Sequence, residues 1–162
     1  MSVGVSSRNH TVQYVMSEHV FKSHNKTLLL YHLVFPAKYR RKVFTQVIEE
    51  TLVNICIEIS ERYEINFLEI GNDEDHVHFL VQGVPKLPVT RIVQVIKSIT
   101  AREVFSKHPE IKKQLWGGSL WTSGFYANTV GQFANEETIR NYVKDQGKKY
   151  TKMHTGQLML DL

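Results

Sequence analysis

The hydrophobic pattern changes its period several times along the chain. Residues 27–35 are a nearly continuous apolar run that Pro36 ends, which predicts a central strand buried on both sides. Apolar residues at helical spacing predict a long amphipathic helix over residues 41–63 and a second helix over residues 89–107. These two helices are long enough to cover one face of a sheet.

Shorter apolar runs predict three further strands. Residues 65–70 form the first of them, and the turn-forming residues 71–73 follow. Residues 73–82 then return as the second arm of a hairpin. Residues 120–130, where aromatic residues alternate with small ones, indicate a strand or a bent pair of strands.

The order of these elements indicates the fold class. Strand, helix, strand, strand, helix and strand follow one another, which is the split β-α-β pattern of a ferredoxin-like sandwich. We therefore predict an α+β fold whose antiparallel sheet has helices on one face and leaves the other face open. A last helix begins after the N-cap residue Asn135 and ends near Gln146. Residues 1–25 are predicted to be a loose or helical N-terminal extension, residues 26–150 the domain and residues 151–162 a C-terminal tail.

Two histidines lie in the predicted strand of residues 73–82. His76 and His78 are two positions apart, so a strand places both side chains on one face. Together they can hold one divalent metal ion, and the alternative is that both are polar residues facing solvent. His32 interrupts the first strand, where a hydrogen-bonded core or face histidine is favoured over a catalytic one.

Composition narrows the class of protein. The chain has 162 residues, of which 42% are hydrophobic and 22% charged, as is typical of one globular domain. The single cysteine, Cys56, excludes an intrachain disulfide and a thiolate metal cluster. No apolar run approaches the roughly 20 residues that cross a bilayer, and the N-terminus lacks the apolar centre of a signal peptide. We therefore expect a cytoplasmic protein with no membrane partner.

Two basic features are candidates for nucleic-acid contact. The net charge of +4 and the pI near 9.1 allow such a partner without requiring one. Residues 38–42 place basic side chains around Tyr39, which suits phosphate and base contacts, although a solvated loop explains them equally well. The polar face of the helix at residues 89–107 is also basic, and a solvated face is again the alternative.

The last predicted helix carries a second candidate for chemistry. Tyr142 and Gln146 are four positions apart, so they lie on one helix face. Ile139 and Val143 share that face, which an ordinary amphipathic helix also explains. Beside the two histidines, Tyr142 becomes a candidate nucleophile and the oxygen of Gln146 a candidate metal ligand.

These motifs together resemble a known family, the single-tyrosine HUH transposases (TnpA type) of the insertion sequence 200/605 group. His76-Val77-His78 matches the family's His-hydrophobic-His motif on a central strand. Tyr142 and Gln146 match its nucleophile motif on the C-terminal helix. Two further stretches match in kind and place, residues 39–42 after the first strand and residues 120–131 before the last helix.

The resemblance covers about residues 27–147 and implies an activity. Members of the family cut and rejoin single-stranded DNA without ATP, through a 5′-phosphotyrosine intermediate. The phenol of Tyr142, the implied nucleophile, has an ordinary pKa of about 10 and must lose its proton to a base. No histidine or carboxylate of the sequence stands out as that base, so water or a DNA phosphate are the alternatives. The implied nucleophile is Tyr142, and the implied ligands of Mg²⁺ or Mn²⁺ are His76, His78 and Gln146.

The resemblance also implies partners. Members act as homodimers, and the helix of one subunit can complete the active site of the other. Their substrate is single-stranded DNA with hairpins at the ends of the mobile element. The residues predicted here to contact this DNA are Tyr39, Arg40, Arg41, Lys97, Ser98 and Arg102.

Some features depart from the family pattern or allow other functions. The N-terminal extension is longer than expected, and Tyr150 lies too far along the chain to share the face of Tyr142.

Two alternative functions are open. One keeps the chemistry in a nicking enzyme of the replication-initiation or relaxase type. The other is a non-catalytic ferredoxin-like module that binds nucleic acid, which would display exposed aromatic residues on its central strands.

Overall fold

Six strands and three α-helices form within residues 19–131, the part of the chain that the structure, a computed structural model, describes. The predicted last helix with Tyr142 and Gln146, and most of the predicted N-terminal extension, lie outside the described residues. No helix of the described part has the length and apolar character needed to cross a membrane. In chain order the elements are β1 (Val20–Lys22), β2 (Asn25–Thr27), β3 (Leu29–Pro36), α1 (Gln46–Arg62), β4 (Asn66–Asp73), β5 (His76–Gly83), α2 (Val89–Lys107), α3 (Pro109–Gln114) and β6 (Tyr126–Val130).

The main sheet has four strands in the order β4-β5-β3-β6, and every neighbouring pair is antiparallel. The two central strands, β3 and β5, pair over their full lengths, from Leu29 opposite Gly83 to Pro36 opposite His76. With α1 and α2 connecting the strands, this is the predicted ferredoxin-like sandwich. Strands β1 and β2 form a separate hairpin, which lies partly within the predicted extension and was not indicated by any hydrophobic period.

One face of the sheet packs against α1 and α2 and forms the core. Alternation along β5 sends Val77, Phe79 and Val81 into it, and all three are fully buried. Phe79 also packs against Phe35 of β3, with ring centroids 5.1 Å apart. Each such aromatic or aliphatic side chain contributes about 1.5–3 kcal/mol through burial. The core therefore fixes which residues of β5 face the opposite side.

A β-bulge in β4 changes which side its later residues face. Phe67 lies opposite Val81, but Glu69 lies opposite Leu80, so one extra residue is inserted between them. Phe67 and Asp73 are an even number of positions apart and would otherwise share a face. The bulge instead lets Phe67 point into the core while Asp73 points to the other side, where the histidines lie.

Several predicted boundaries differ from the structure by a few residues, and two of the differences concern α1 and the turn after β4. The helix predicted over residues 41–63 begins only at Gln46, because Val43 and Phe44 are buried in an extended segment before it. The turn predicted at residues 71–73 is formed instead by Glu74 and Asp75, since β4 continues to Asp73.

The segment after α3 is attached to the end of β3. The Lys38 N–H donates to the Leu120 carbonyl over 2.8 Å, and the Thr122 N–H donates to the Pro36 carbonyl over 3.0 Å. Between these bonds Trp121 is buried. Only Tyr126–Val130 of the predicted strand at residues 120–130 forms β6, and Trp121 makes an isolated β-bridge to Ala37, so this prediction is confirmed only in part.

The indole of Trp121 tests how firmly this segment is held. Its Nε1–H donates to Thr100 Oγ1 of α2 over 2.9 Å, and both residues are buried. Thr100→Val leaves that N–H without its acceptor, so we expect a loss of about 1–3 kcal/mol in the free energy of unfolding. Urea denaturation measures it, with the exposed Thr90→Val as the control, expected to change stability by less than about 0.5 kcal/mol. Equal effects of the two substitutions would contradict the assignment.

Candidate metal centre

Three potential metal ligands converge where β4 turns into β5. Asp73 ends β4, and His76 opens β5 directly opposite it. The Nε2 atom of His76 lies 3.0 Å from Asp73 Oδ2, and the Nε2 atom of His78 lies 4.0 Å from the same oxygen. The ligand atoms of the three residues all lie within 4.8 Å of one another. One cation could therefore contact all three side chains.

The second nitrogen of each imidazole is held by a neighbour. His76 Nδ1 lies 2.7 Å from Asp75 Oδ1, and His78 Nδ1 lies 3.0 Å from His32 Nε2. Such contacts fix the orientation and the tautomer of a metal-binding histidine. They leave both Nε2 atoms directed towards Asp73. The prediction that His32 is a hydrogen-bonded core or face histidine is confirmed by its contact with His78.

Burial controls the charge of these rings. His76 and His78 are only 1% and 3% exposed, although the histidine side of the sheet was predicted to be open. Burial lowers the pKa of His32 to about 4. Burial, and then the charges of His76 and His32, lower the pKa of His78 to about 3. Both rings are therefore neutral at neutral pH, which is the form that binds metal.

Asp75 connects the metal centre to the turn that follows β3. Its carboxylate accepts from Arg40, with Nη2 at 2.9 Å and Nε at 3.0 Å from Oδ2. Burial alone would raise the pKa of the Asp75 carboxyl, but the His76 hydrogen bond and the Arg40 charge outweigh burial and lower it. The backbone carbonyl of Asp75 also accepts from the Ala37 N–H over 2.8 Å. Asp75 is therefore held as an ionised partner for His76.

The donor set fits a divalent cation. Imidazole nitrogens suit transition metals, while a carboxylate oxygen suits Mg²⁺ and Mn²⁺ as well. The two Nε2 atoms are buried and face a carboxylate whose side chain is 46% exposed, so a cation can approach from the Asp73 side. Sequence reasoning missed Asp73 because it took this residue for part of a turn.

The predicted DNA contacts fall into two groups. Tyr39, Arg40 and Arg41 lie in the turn after β3, and Arg40 binds Asp75 beside the metal centre. Tyr39 and Arg41 are exposed. This group therefore borders the candidate site.

The second group lies on α2. The ammonium of Lys97 donates to the carbonyls of Thr122 and Gly124 over 2.8 and 2.7 Å, and burial lowers its pKa. Ser98 donates to the Val95 carbonyl, and Arg102 is 65% exposed beside Glu103. Lys97 thus holds the loop before β6, and DNA contact by this group stays a prediction.

The chain is similar to known transposases. A family model described as IS200-like transposase matches residues 25–146. The chain is 30% identical to the ISDra2 transposase TnpA of Deinococcus radiodurans over 121 residues, which are 75% of this chain and 86% of that protein. It is 27% identical over 124 residues to the transposase for insertion sequence element IS200 of Salmonella typhimurium, covering 76% of this chain and 80% of that protein.

Solved structures show the same likeness. A crystal structure of a candidate transposase from Deinococcus radiodurans R1 matches with a TM-score of 0.62 and 26% identity, over 78% of this chain and 98% of that chain. The REP-associated tyrosine transposase bound to a REP hairpin matches with a TM-score of 0.52, over 85% of this chain and 74% of that chain. At 12% identity, the second likeness concerns the fold alone. Both agree with the predicted α+β architecture.

Removal of the Asp73 carboxylate tests the metal centre. Asp73→Asn should weaken Mn²⁺ binding about tenfold or more, because even residues that only support a metal ligand cost that much when lost. Isothermal titration calorimetry measures the affinity. The control is Glu74→Gln, which removes a neighbouring exposed carboxylate that pairs with Lys42 over 2.8 Å. Unchanged Mn²⁺ affinity in Asp73→Asn would remove Asp73 from the ligand set.

The lowered histidine pKa values predict a pH dependence of stability. Between the ordinary value of 6.5 and about 4, the unfolded chain protonates His32 while the folded chain does not. The unfolded state then binds more protons, so the free energy of unfolding falls as the pH falls through this window. In metal-free buffer, His32→Gln should reduce the stability lost between pH 7.5 and pH 5 by up to about 2 kcal/mol.

Urea denaturation at the two pH values measures this difference. The exposed His24→Gln serves as the control and should keep the pH dependence of the unsubstituted protein. An unaltered pH dependence in His32→Gln would show that His32 does not carry it.

Proposed function

The chain belongs to the family of IS200-like transposases, and from this premise we propose that it cuts and rejoins single-stranded DNA at the ends of an insertion sequence. The observation that carries the proposal is the arrangement of His76 and His78, whose Nε2 atoms both face the Asp73 carboxylate. A pair of oriented imidazoles beside a half-exposed carboxylate suits an ion that contacts a phosphodiester.

Asp73, His76 and His78 would hold the metal ion, with Gln146 as a further oxygen ligand. Mg²⁺ and Mn²⁺ are the proposed ions. When bound, the ion would polarise the scissile phosphate and offset the negative charge that develops on it. In this proposal Asp75 and His32 hold the rings of His76 and His78 in orientation through their Nδ1 atoms, and burial keeps His78 neutral.

Tyr142 is the proposed nucleophile. Its phenolic oxygen forms a bond to the scissile phosphorus, and the bond from phosphorus to the 3′ oxygen breaks. The phenol loses its proton, the leaving 3′ oxygen gains one, and the DNA remains attached as a 5′-phosphotyrosine. Attack by a 3′-hydroxyl on this linkage reverses the step and reseals DNA. One phosphodiester replaces another throughout, so no ATP is required.

The proposed partners are single-stranded DNA with hairpins and a second copy of the chain. One structural relative is described as bound to a REP hairpin, which supports a hairpin substrate here. We further propose that the Tyr142 helix of one subunit completes the metal centre of the other. The proposed DNA contacts are Tyr39, Arg40, Arg41, Lys97, Ser98 and Arg102.

A non-catalytic nucleic-acid-binding module fits the structure less well. Such modules stack bases on exposed aromatic residues of the central strands. At the corresponding positions of β3 and β5, this chain has the buried residues His32, His76 and His78. Their mutual contacts are those expected around a metal ion.

A covalent adduct on a denaturing gel tests the nucleophile. Protein is incubated with labelled single-stranded hairpin DNA and Mn²⁺, and an adduct is expected that is lost in Tyr142→Phe. His76→Ala and His78→Ala should reduce it at least about a hundredfold, because a positioned metal ion supplies several kcal/mol to such a step. Tyr150→Phe is the matched control and should retain the adduct. An undiminished adduct in Tyr142→Phe would reassign the nucleophile, and hairpin binding without any adduct would favour the binding module.

A further inference from the structure

Two exposed aromatic rings meet beside the candidate site. Tyr39 follows β3 and Trp116 follows α3, yet their ring centroids are 5.1 Å apart with an angle of 72° between the planes. Tyr39 is 57% exposed and Trp116 is 68% exposed. Large aromatic side chains are normally buried, so two exposed rings in contact call for a reason.

The backbone at both rings is in a conformation that side chains disfavour. Tyr39 has φ 59° and Trp116 has φ 52°, and among the described non-glycine residues only Arg40 also has a positive φ. Trp116 occupies the position just after α3 where glycine is the usual residue. Its N–H donates to Lys113, and the next N–H donates to Lys112, as in a normal helix end. Exposed rings gain little from burial, so the core does not explain this strain.

Cations lie against the same rings. The guanidinium carbon of Arg41 is 4.2 Å from the centroid of Trp116, and the ammonium of Lys38 is 5.4 Å from that of Tyr39. Proteins that bind single-stranded nucleic acid combine such aromatic rings with cations that follow the phosphates. We call this surface the aromatic platform, and it consists of Lys38, Tyr39, Arg41 and Trp116.

The aromatic platform is directly connected to the metal centre. Arg40, between Tyr39 and Arg41, binds Asp75, and Asp75 holds the Nδ1 atom of His76. The turn that carries Tyr39 and Arg41 is therefore joined to the candidate metal centre through Arg40 and Asp75.

We infer that the aromatic platform stacks an unpaired nucleobase of the single-stranded DNA close to the scissile phosphate. This inference rests on the proposed function and names the base contact of that site. Stacking on the face of either ring requires no particular base, because every base presents an aromatic face. Arg41 and Lys38 then lie where they can contact the adjoining phosphates.

Tryptophan fluorescence can observe this contact directly. The chain has two tryptophans, and the second, Trp121, is 4% exposed and bonded to Thr100. Tyr142→Phe protein in EDTA is titrated with oligothymidylate, so that neither metal nor cleavage affects the signal. Quenching is expected with the oligothymidylate, whereas an abasic strand of equal length should not quench. Trp116→Phe leaves Trp121 as the only tryptophan of the chain. Loss of the quenching in this variant shows that the quenched emission comes from Trp116.

Trp116→Gly separates a binding role from a structural one. Glycine suits the backbone at this position, so the melting temperature should stay the same or rise. Affinity for oligothymidylate should fall about tenfold to a hundredfold. The matched control is Phe21→Ala on the β1-β2 hairpin, which removes a ring that is 70% exposed and has the Lys26 ammonium at 5.2 Å. This control should leave the affinity unchanged.

Three outcomes would overturn the inference. The first is an unchanged affinity of the Trp116→Gly protein for oligothymidylate. The second is a clear fall in the melting temperature of this variant, and the third is conversion of a DNA-free dimer into a monomer by the substitution. The last would identify the platform as a contact between two copies of the chain. Covalent adduct formation by Trp116→Gly protein with intact Tyr142, at saturating hairpin DNA, tests the proposed function separately and would survive failure of the stacking contact.

Discussion

A pair of imidazoles can hold one metal ion only if both rings are neutral and neither can turn. For His78, burial satisfies the first condition by lowering its pKa to about 3. Contacts at Nδ1 satisfy the second, from Asp75 to His76 and from His32 to His78. The sheet order provides these contacts, because the partner of His78 lies on β3 and that of His76 precedes β5. The pairing of β3 with β5 thus brings His32 beside His78 in the candidate site.

The same pairing connects the site to the surface that would meet DNA. The Ala37 N–H donates to the Asp75 carbonyl, and Arg40 binds the Asp75 carboxylate. The turn after β3 is therefore fixed to the turn before β5 by both backbone and side-chain contacts. Tyr39 and Arg41 flank the residue that makes this contact. Displacement of the turn at residues 38–41 from Asp75 would break this ion pair.

The fold was largely predictable because its signals are local and agree with one another. The helical period of α2 gave its bounds correctly, and the alternation in β5 placed His76 and His78 on one face. The parts that could not be predicted depend on contacts distant in sequence. Asp73 joins the ligands only through the β-bulge, which period-two counting from Phe67 does not reveal. Trp116 meets Tyr39 only because the chain after α3 returns to the end of β3.

The β-bulge in β4 also makes the length of this strand part of the chemistry. Leu68 is the inserted residue. Before it, the odd-numbered positions of β4 face the core, and after it they face the histidines. Deletion of Leu68 would leave the net charge and every candidate ligand unchanged, yet it would turn Asp73 towards the helices. The number of residues between Phe67 and Asp73 therefore decides whether Asp73 faces the histidines or the core.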